Sequence, residues 1–223
     1  MLIASKLIST LNNMAINPLF PYPLYLVISE QDCYPQSWLH VAEEAIHGGV
    51  DIVQLREKNE TPARFLEKAK KLKRITDHYG IPLIINDAVG IAREIEAWGV
   101  HVGQNDCRPL EILEKYGQQI QIGWSLENLA QLDSEQMRAV DQLGVSPIFA
   151  TKTKTDTITE WGISGLCQVR NLTEKPLIAI GHMDLDTIES TWQAGANSIA
   201  VVSAICKSKD PRERSAQLKE LLT

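Results

Sequence analysis

Eight short apolar runs recur along this chain, most of them separated by longer amphipathic segments. They are LYLVI (24–28), DIVQLR (51–56), PLIIN (82–86), GVHVG (99–103), IQIGWS (120–125), LGVSPIF (143–149), PLIAIG (176–181) and SIAVVSAI (198–205). Each has strand length, and Gly, Pro, Asn or Asp bounds it. Runs that are apolar on both faces suit a parallel sheet covered by helices. The intervening segments carry helical period. In WLHVAEEAIHGG, for instance, Trp38, Val41, Ala42, Ala45 and Ile46 share a face. PARFLEKAKKLKRITDHYG, VGIAREIEAWG and DTIESTWQAGA behave alike, with a glycine at or near the end of each as helix terminator. Eight such units predict a single-domain α/β fold, a (β/α)8 barrel at the short end of its size range. An open doubly wound sheet would use fewer strands at this length. Ile3, Leu7, Leu11 and Met14 add an expected N-terminal helix, which the lead-in PLFPYP ends. The expected division is therefore 1–23 for helix and lead-in and 24–223 for the barrel.

Composition narrows the function classes. The 223 residues carry 28 acidic and 22 basic side chains, a formal charge of −6, with no long basic run. That balance argues against nucleic acid and against acidic membrane surfaces. No stretch is long and apolar enough to read as a membrane span. The cysteines (Cys33, Cys107, Cys167, Cys206) are scattered without metal-ligand spacing and are expected as buried or half-buried thiols in a reducing compartment. A cytoplasmic protein is expected.

In a barrel of this kind the chemistry lies where strands end. Strand two runs into VQLREK, where period two sets Gln54, Arg56 and Lys58 on one side, two cations and an amide together. Strand three ends in Asn86-Asp87 and strand four in GQND, closing at Asp106. Two carboxylates on adjacent strand ends suit Mg2+, which keeps its other positions for water and phosphate oxygens; alternatively each caps the next helix. Ser125 ends strand five and is a further candidate cap. After strand six, ATKTKTD offers Thr151, Thr153 and Lys154 as a phosphate clamp or a polar lid. Strands seven and eight close with Gly181-His182 and Val202-Ser203, the loops that bind phosphate in many barrels. His101, inside strand four, is either hydrogen-bonded in the barrel or a neighbour of the site. Trp38, Trp98, Trp161 and Trp192 are expected to pack helices against the barrel.

VQLREK, INDAVGIA, GVHVGQND, IGWS, GVSPIFATKTK, PLIAIG and GANSIAVVSAI, in this order, resemble the signatures of the thiamine phosphate synthase family. The resemblance runs from residue 53 to residue 205. It implies a (β/α)8 transferase that couples 4-amino-2-methyl-5-hydroxymethylpyrimidine diphosphate with hydroxyethylthiazole phosphate, releasing pyrophosphate. By the same resemblance, Gln54, Leu55, Arg56, Glu57, Lys58 and Asn86 line the pyrimidine diphosphate site, and Ser125 contacts its reacting end. Asp87 and Asp106 hold Mg2+. Thr151, Lys152 and Thr153 surround the thiazole phosphate, with His182, Val202 and Ser203 beside it, and Lys154 is directed at the diphosphate. Arg56, Lys58, Ser125 and Lys154 are the implied catalytic residues. A homo-oligomer and a pyrimidine kinase partner are left open.

The chain departs from the family at three places. His182 stands where a second glycine is usual, Ser146 replaces a common glycine, and Ala88 and Gly90 replace charged residues. Two rival readings follow: a thiazole tautomerase of the same barrel, and a non-catalytic homologue that binds only the pyrimidine diphosphate. The tautomerase lacks the paired carboxylates and carries a histidine near strand six, where this chain has Pro147.

Overall fold

In the computed structural model, residues 17–150 and 159–222 are described. The expected N-terminal helix and residues Thr151, Lys152, Thr153 and Lys154 lie outside them. Eight parallel strands close into a barrel in sequence order: β1 (Leu24–Ile28), β2 (Ile52–Leu55), β3 (Leu83–Asn86), β4 (Gly99–Val102), β5 (Gln121–Leu126), β6 (Gln142–Val145), β7 (Leu177–Ile180) and β8 (Ser198–Val201), with β8 returning to β1. All eight apolar runs thus become strands. Helices follow most of them, among them Trp38–His47, Pro62–Tyr79, Pro109–Tyr116 and Gly162–Leu172, whereas two 3-10 turns fill the interval after β5. The buried residues of helix Trp38–His47 are the five that its period placed on one face. Thr61 caps the next helix with its hydroxyl, and Gly80 ends it at φ 67, a conformation that costs glycine little. Among the described residues no helix is long and apolar enough to cross a membrane.

Because strand side chains alternate, each strand serves two cores. Leu24, Leu26, Ile28, Val53, Leu55, Leu83 and Ile85 face the helices, while Tyr25, Val27, Ile52, Ile84, Ile178 and Ala200 fill the barrel. Phe20, Tyr22 and Trp98 stack edge to face across the N-terminal end, with ring centroids 5.1–6.0 Å apart. Trp98 therefore helps to plug the barrel instead of packing a helix. It precedes β4, and the rings of the lead-in stack against it there. Pro18–Pro23 is the segment that brings those rings there.

The same end carries a repeated device. Asp51, Asp141 and Asn197, each just before an even-numbered strand, accept the backbone amides of Leu24, Ile122 and Leu177 from the strand before it, at 2.7, 2.7 and 2.9 Å. Two further expectations need correction. Strand six ends at Val145, not Phe149, since Pro147 has no N–H to continue the ladder. Cys107 is exposed, because the loop after β4 carries it outside the core.

Candidate functional site

The C-terminal mouth of the barrel opens into a cleft of about 900 Å³ that receives side chains from all eight strands or their ends. Alternation places Gln54, Arg56 and Lys58 on its wall together, as their spacing implies. Leu55 and Glu57, of opposite phase, turn away from it. Leu55 packs between sheet and helices, and the Glu57 carboxylate lies 3.1 Å from Lys68 Nζ on the outside.

Asp87 and Asp106 meet in this cleft with Asn86. Neither is a helix cap. Helix Val89–Glu94 starts after Ala88 with no side-chain cap, and helix Pro109–Tyr116 starts after Arg108 in the same way. Asp106 instead accepts the Gly103 amide at 2.9 Å, and Asp87 pairs with Lys58 at 3.1 Å. Asp87 holds φ 62, a left-handed backbone that aspartate tolerates better than most residues and that concentrates at functional sites. Burial pushes its carboxyl above the ordinary carboxylate range. The facing Asp106 carboxyl adds to this and Lys58 opposes it. Two carboxyl groups in contact at a partly buried site need positive charge between them. Among the described residues no third His, Cys, Asp or Glu joins them as a metal-binding group. Two carboxylates with the remaining positions left to water and phosphate oxygens are a donor set that fits Mg2+.

Ser125 is not a cap either, since the turn after β5 begins at Asn128. Its hydroxyl lies 3.0 Å from His101 Nε2, and its carbonyl accepts from the Gln104 and Gln131 amides. His101 fits only because Gly123 and Gly144 lack side chains. A Cβ on either would stand 2.6 or 2.8 Å from the ring. Below, Gln54 Nε2 donates to the Tyr25 hydroxyl at 2.6 Å, and burial raises the pKa of that phenol strongly. Tyr25 was missed in the sequence. Its position in LYLVI is one of alternation, and it is legible once strand phase is known.

A second, more apolar hollow of about 580 Å³ adjoins the first. His182, Val202 and Ser203 line it, as does Asp32, for which no motif or spacing argued. His182 is exposed at φ 53, where a glycine would sit without strain, and its carbonyl accepts from the Thr187 hydroxyl at 2.9 Å. Arg56, Ser146 and Ile180 belong to both hollows. Among the described residues no carboxylate pairs with Arg56.

Residues 24–205 match the family model described as thiamine monophosphate synthase. The thiamine-phosphate synthase of Albidiferax ferrireducens is 42% identical over 199 residues, covering 89% of this chain and 91% of that protein. That of Vibrio parahaemolyticus is 40% identical, covering 90% and 98%. Among solved structures, thiamine phosphate pyrophosphorylase from Pyrococcus furiosus superposes with a TM-score of 0.82 at 25% identity, covering 92% of this chain and 98% of its own. A 3-hexulose-6-phosphate synthase at 16% identity and a TM-score of 0.64 shares the fold.

Proposed function

This chain belongs to the thiamine monophosphate synthase family, a family of transferases, and from that premise we propose that it joins the diphosphooxymethyl aminopyrimidine to hydroxyethylthiazole phosphate, forming thiamine phosphate and pyrophosphate. The supporting observation is the shared wall at Arg56 and Ser146. On one side lies a polar hollow with Lys58, Asp87 and Asp106, and on the other a more apolar hollow with His182, Val202 and Ser203. A bond made between two substrates belongs at such a boundary.

The chemistry follows from the charges. Arg56 and Lys58 meet the diphosphate with charge-assisted hydrogen bonds. As the carbon–oxygen bond breaks, its electron pair stays on the diphosphate, and the two cations stabilise the charge that develops there. The methylene cation left on the aminopyrimidine is taken by the lone pair of the thiazole nitrogen. No side-chain nucleophile is needed, so positioning and electrostatics do the catalysis. Ser125, steadied by His101, offers its hydroxyl to the pyrimidine, and Gln54 and Asn86 border the same substrate. Asp87 and Asp106 would hold Mg2+, which when bound supplies further positive charge against the diphosphate. Thr151, Lys152 and Thr153 are assigned to the thiazole phosphate and Lys154 to the diphosphate by resemblance alone. The four free thiols accord with a reducing cytoplasm as the place of action.

Incubation with both substrates and Mg2+ tests this reading. Pyrophosphate and thiamine phosphate are expected in equal amounts. Binding of the pyrimidine diphosphate without either product would overturn it in favour of a binding protein.

A further inference from the structure

The segment that follows β2 leaves the sheet at Leu55, so the strand ladder orients Arg56, Glu57 and Lys58 only at their start, through the Arg56 amide donating to the Ile28 carbonyl at 3.0 Å. Behind the segment stands Lys68, on the helix Pro62–Tyr79, with only 10% of its side chain exposed. Its Nζ lies 2.6 Å from Glu60, 2.9 Å from Glu30 and 3.1 Å from Glu57. The Glu57 side chain is itself 7% exposed, and its carboxylate also accepts the Glu30 amide at 3.0 Å. A lysine so enclosed loses hydration that only well-placed partners offset. Here the partners come from two segments, Glu30 on the short helix after β1 and Glu57 and Glu60 on the loop before helix Pro62–Tyr79, and none of them lines the cleft.

We propose that Lys68 is a positioning residue for the diphosphate-binding segment, acting by anchoring Glu57 outward so that Arg56 and Lys58 point into the cleft. Arg56 and Lys58 line the cleft while Glu57 between them turns outward, so the alternation of the strand carries past its end. Fixing the middle residue on the outside fixes the two flanking cations on the inside. On the inner face Lys58 is held in turn by Asp87 at 3.1 Å. The proposal rests on the reading above that this segment takes a diphosphate.

Calorimetric titration with pyrophosphate in the presence of Mg2+ tests it. Lys68→Met is expected to weaken binding about tenfold, the scale of a modest misplacement of binding groups. Lys68→Arg should restore most of the loss, and Lys73→Met, which breaks an ion pair with Asp77 on the same helix, should lose none. Glu57→Ala gives the decisive sign. It removes a negative charge from behind an anion site, so electrostatics alone would tighten binding, whereas loss of the anchor weakens it. Weaker binding in Glu57→Ala supports the proposal, and unchanged or tighter binding overturns it. Lys68→Met matching Lys73→Met would also overturn it. If Lys68→Met fails to fold, Glu57→Ala still decides, since it leaves Lys68 two carboxylates. Failure of the wild-type protein to make thiamine phosphate would remove the proposed reaction but leave this titration valid. Failure to bind pyrophosphate at all would remove both.

Discussion

The two ends of the barrel are built from the same eight strands and differ in how their groups are matched. At the N-terminal end Phe20, Tyr22 and Trp98 close the opening with rings, and Asp51, Asp141 and Asn197 each accept a strand amide. Asp51 is further paired with Lys219 at 2.6 Å. At the C-terminal end two carboxyl groups face each other, Arg56 has no carboxylate partner among the described residues, and Asp87 and His182 hold left-handed backbone. The first end pairs these aspartates and this asparagine internally, which favours stability, although the buried amide of Gln142 at the start of β6 has no hydrogen-bond partner among the described residues. The second keeps charge and strain that a bound ligand would satisfy, the usual trade at a functional site.

Paired substitutions break or sharpen this contrast, provided that unfolding and turnover are both measured for each. The largest effect is expected at the closed end. Phe20→Ala should cost about 3–5 kcal/mol of stability, as for other buried phenylalanines, while leaving KM for both substrates unchanged. A rise in KM there would show that the plug reaches the site. At the open end, Asp87→Asn and Asp106→Asn should each lower kcat by at least ~10²-fold, on the scale of single electrostatic contributions, with the unfolding midpoint nearly unmoved. Asparagine tolerates the left-handed backbone at 87, so a loss reports the missing charge and not backbone strain, and unchanged turnover would remove the carboxylates from the reaction.

A mixed outcome is expected between the two ends. Gly144→Ala puts a methyl group 2.8 Å from the His101 ring and should cost about 1–3 kcal/mol as overpacking. It should also lower kcat by displacing His101 from Ser125. A stability loss with wild-type kcat would limit His101 to a packing role. The smallest effect belongs to His182→Gly. Relief at φ 53 should add less than about 1 kcal/mol, since glycine also loosens the unfolded chain. The informative reading is KM for the thiazole phosphate: a rise marks the imidazole as a donor, a fall marks it as an obstruction, and no change takes it out of the site.

Much of this was legible beforehand. Period two in VQLREK separates Gln54, Arg56 and Lys58 from Leu55 and Glu57, and the cleft follows that division. The phase of LYLVI likewise contains the inward Tyr25, but nothing local states which phase faces the barrel. Asp87 and Asp106 were legible as a pair through their strand ends. Their alternative role as caps failed only when the helices were seen to begin one and two residues later, at boundaries that propensity does not resolve. Asp32 gave no signal, because it enters the second hollow from the short helix after β1.

The sequence by itself determined the eight strands, the amphipathic faces between them and the family, since periodicity, turn residues and ordered motifs are local properties of a chain. Tertiary structure alone decided that Glu57 turns outward to Lys68, that Gly123 and Gly144 make room for His101, and that two hollows share Arg56 and Ser146. Each of these depends on contacts between residues distant in sequence, whose geometry exists only once the barrel closes.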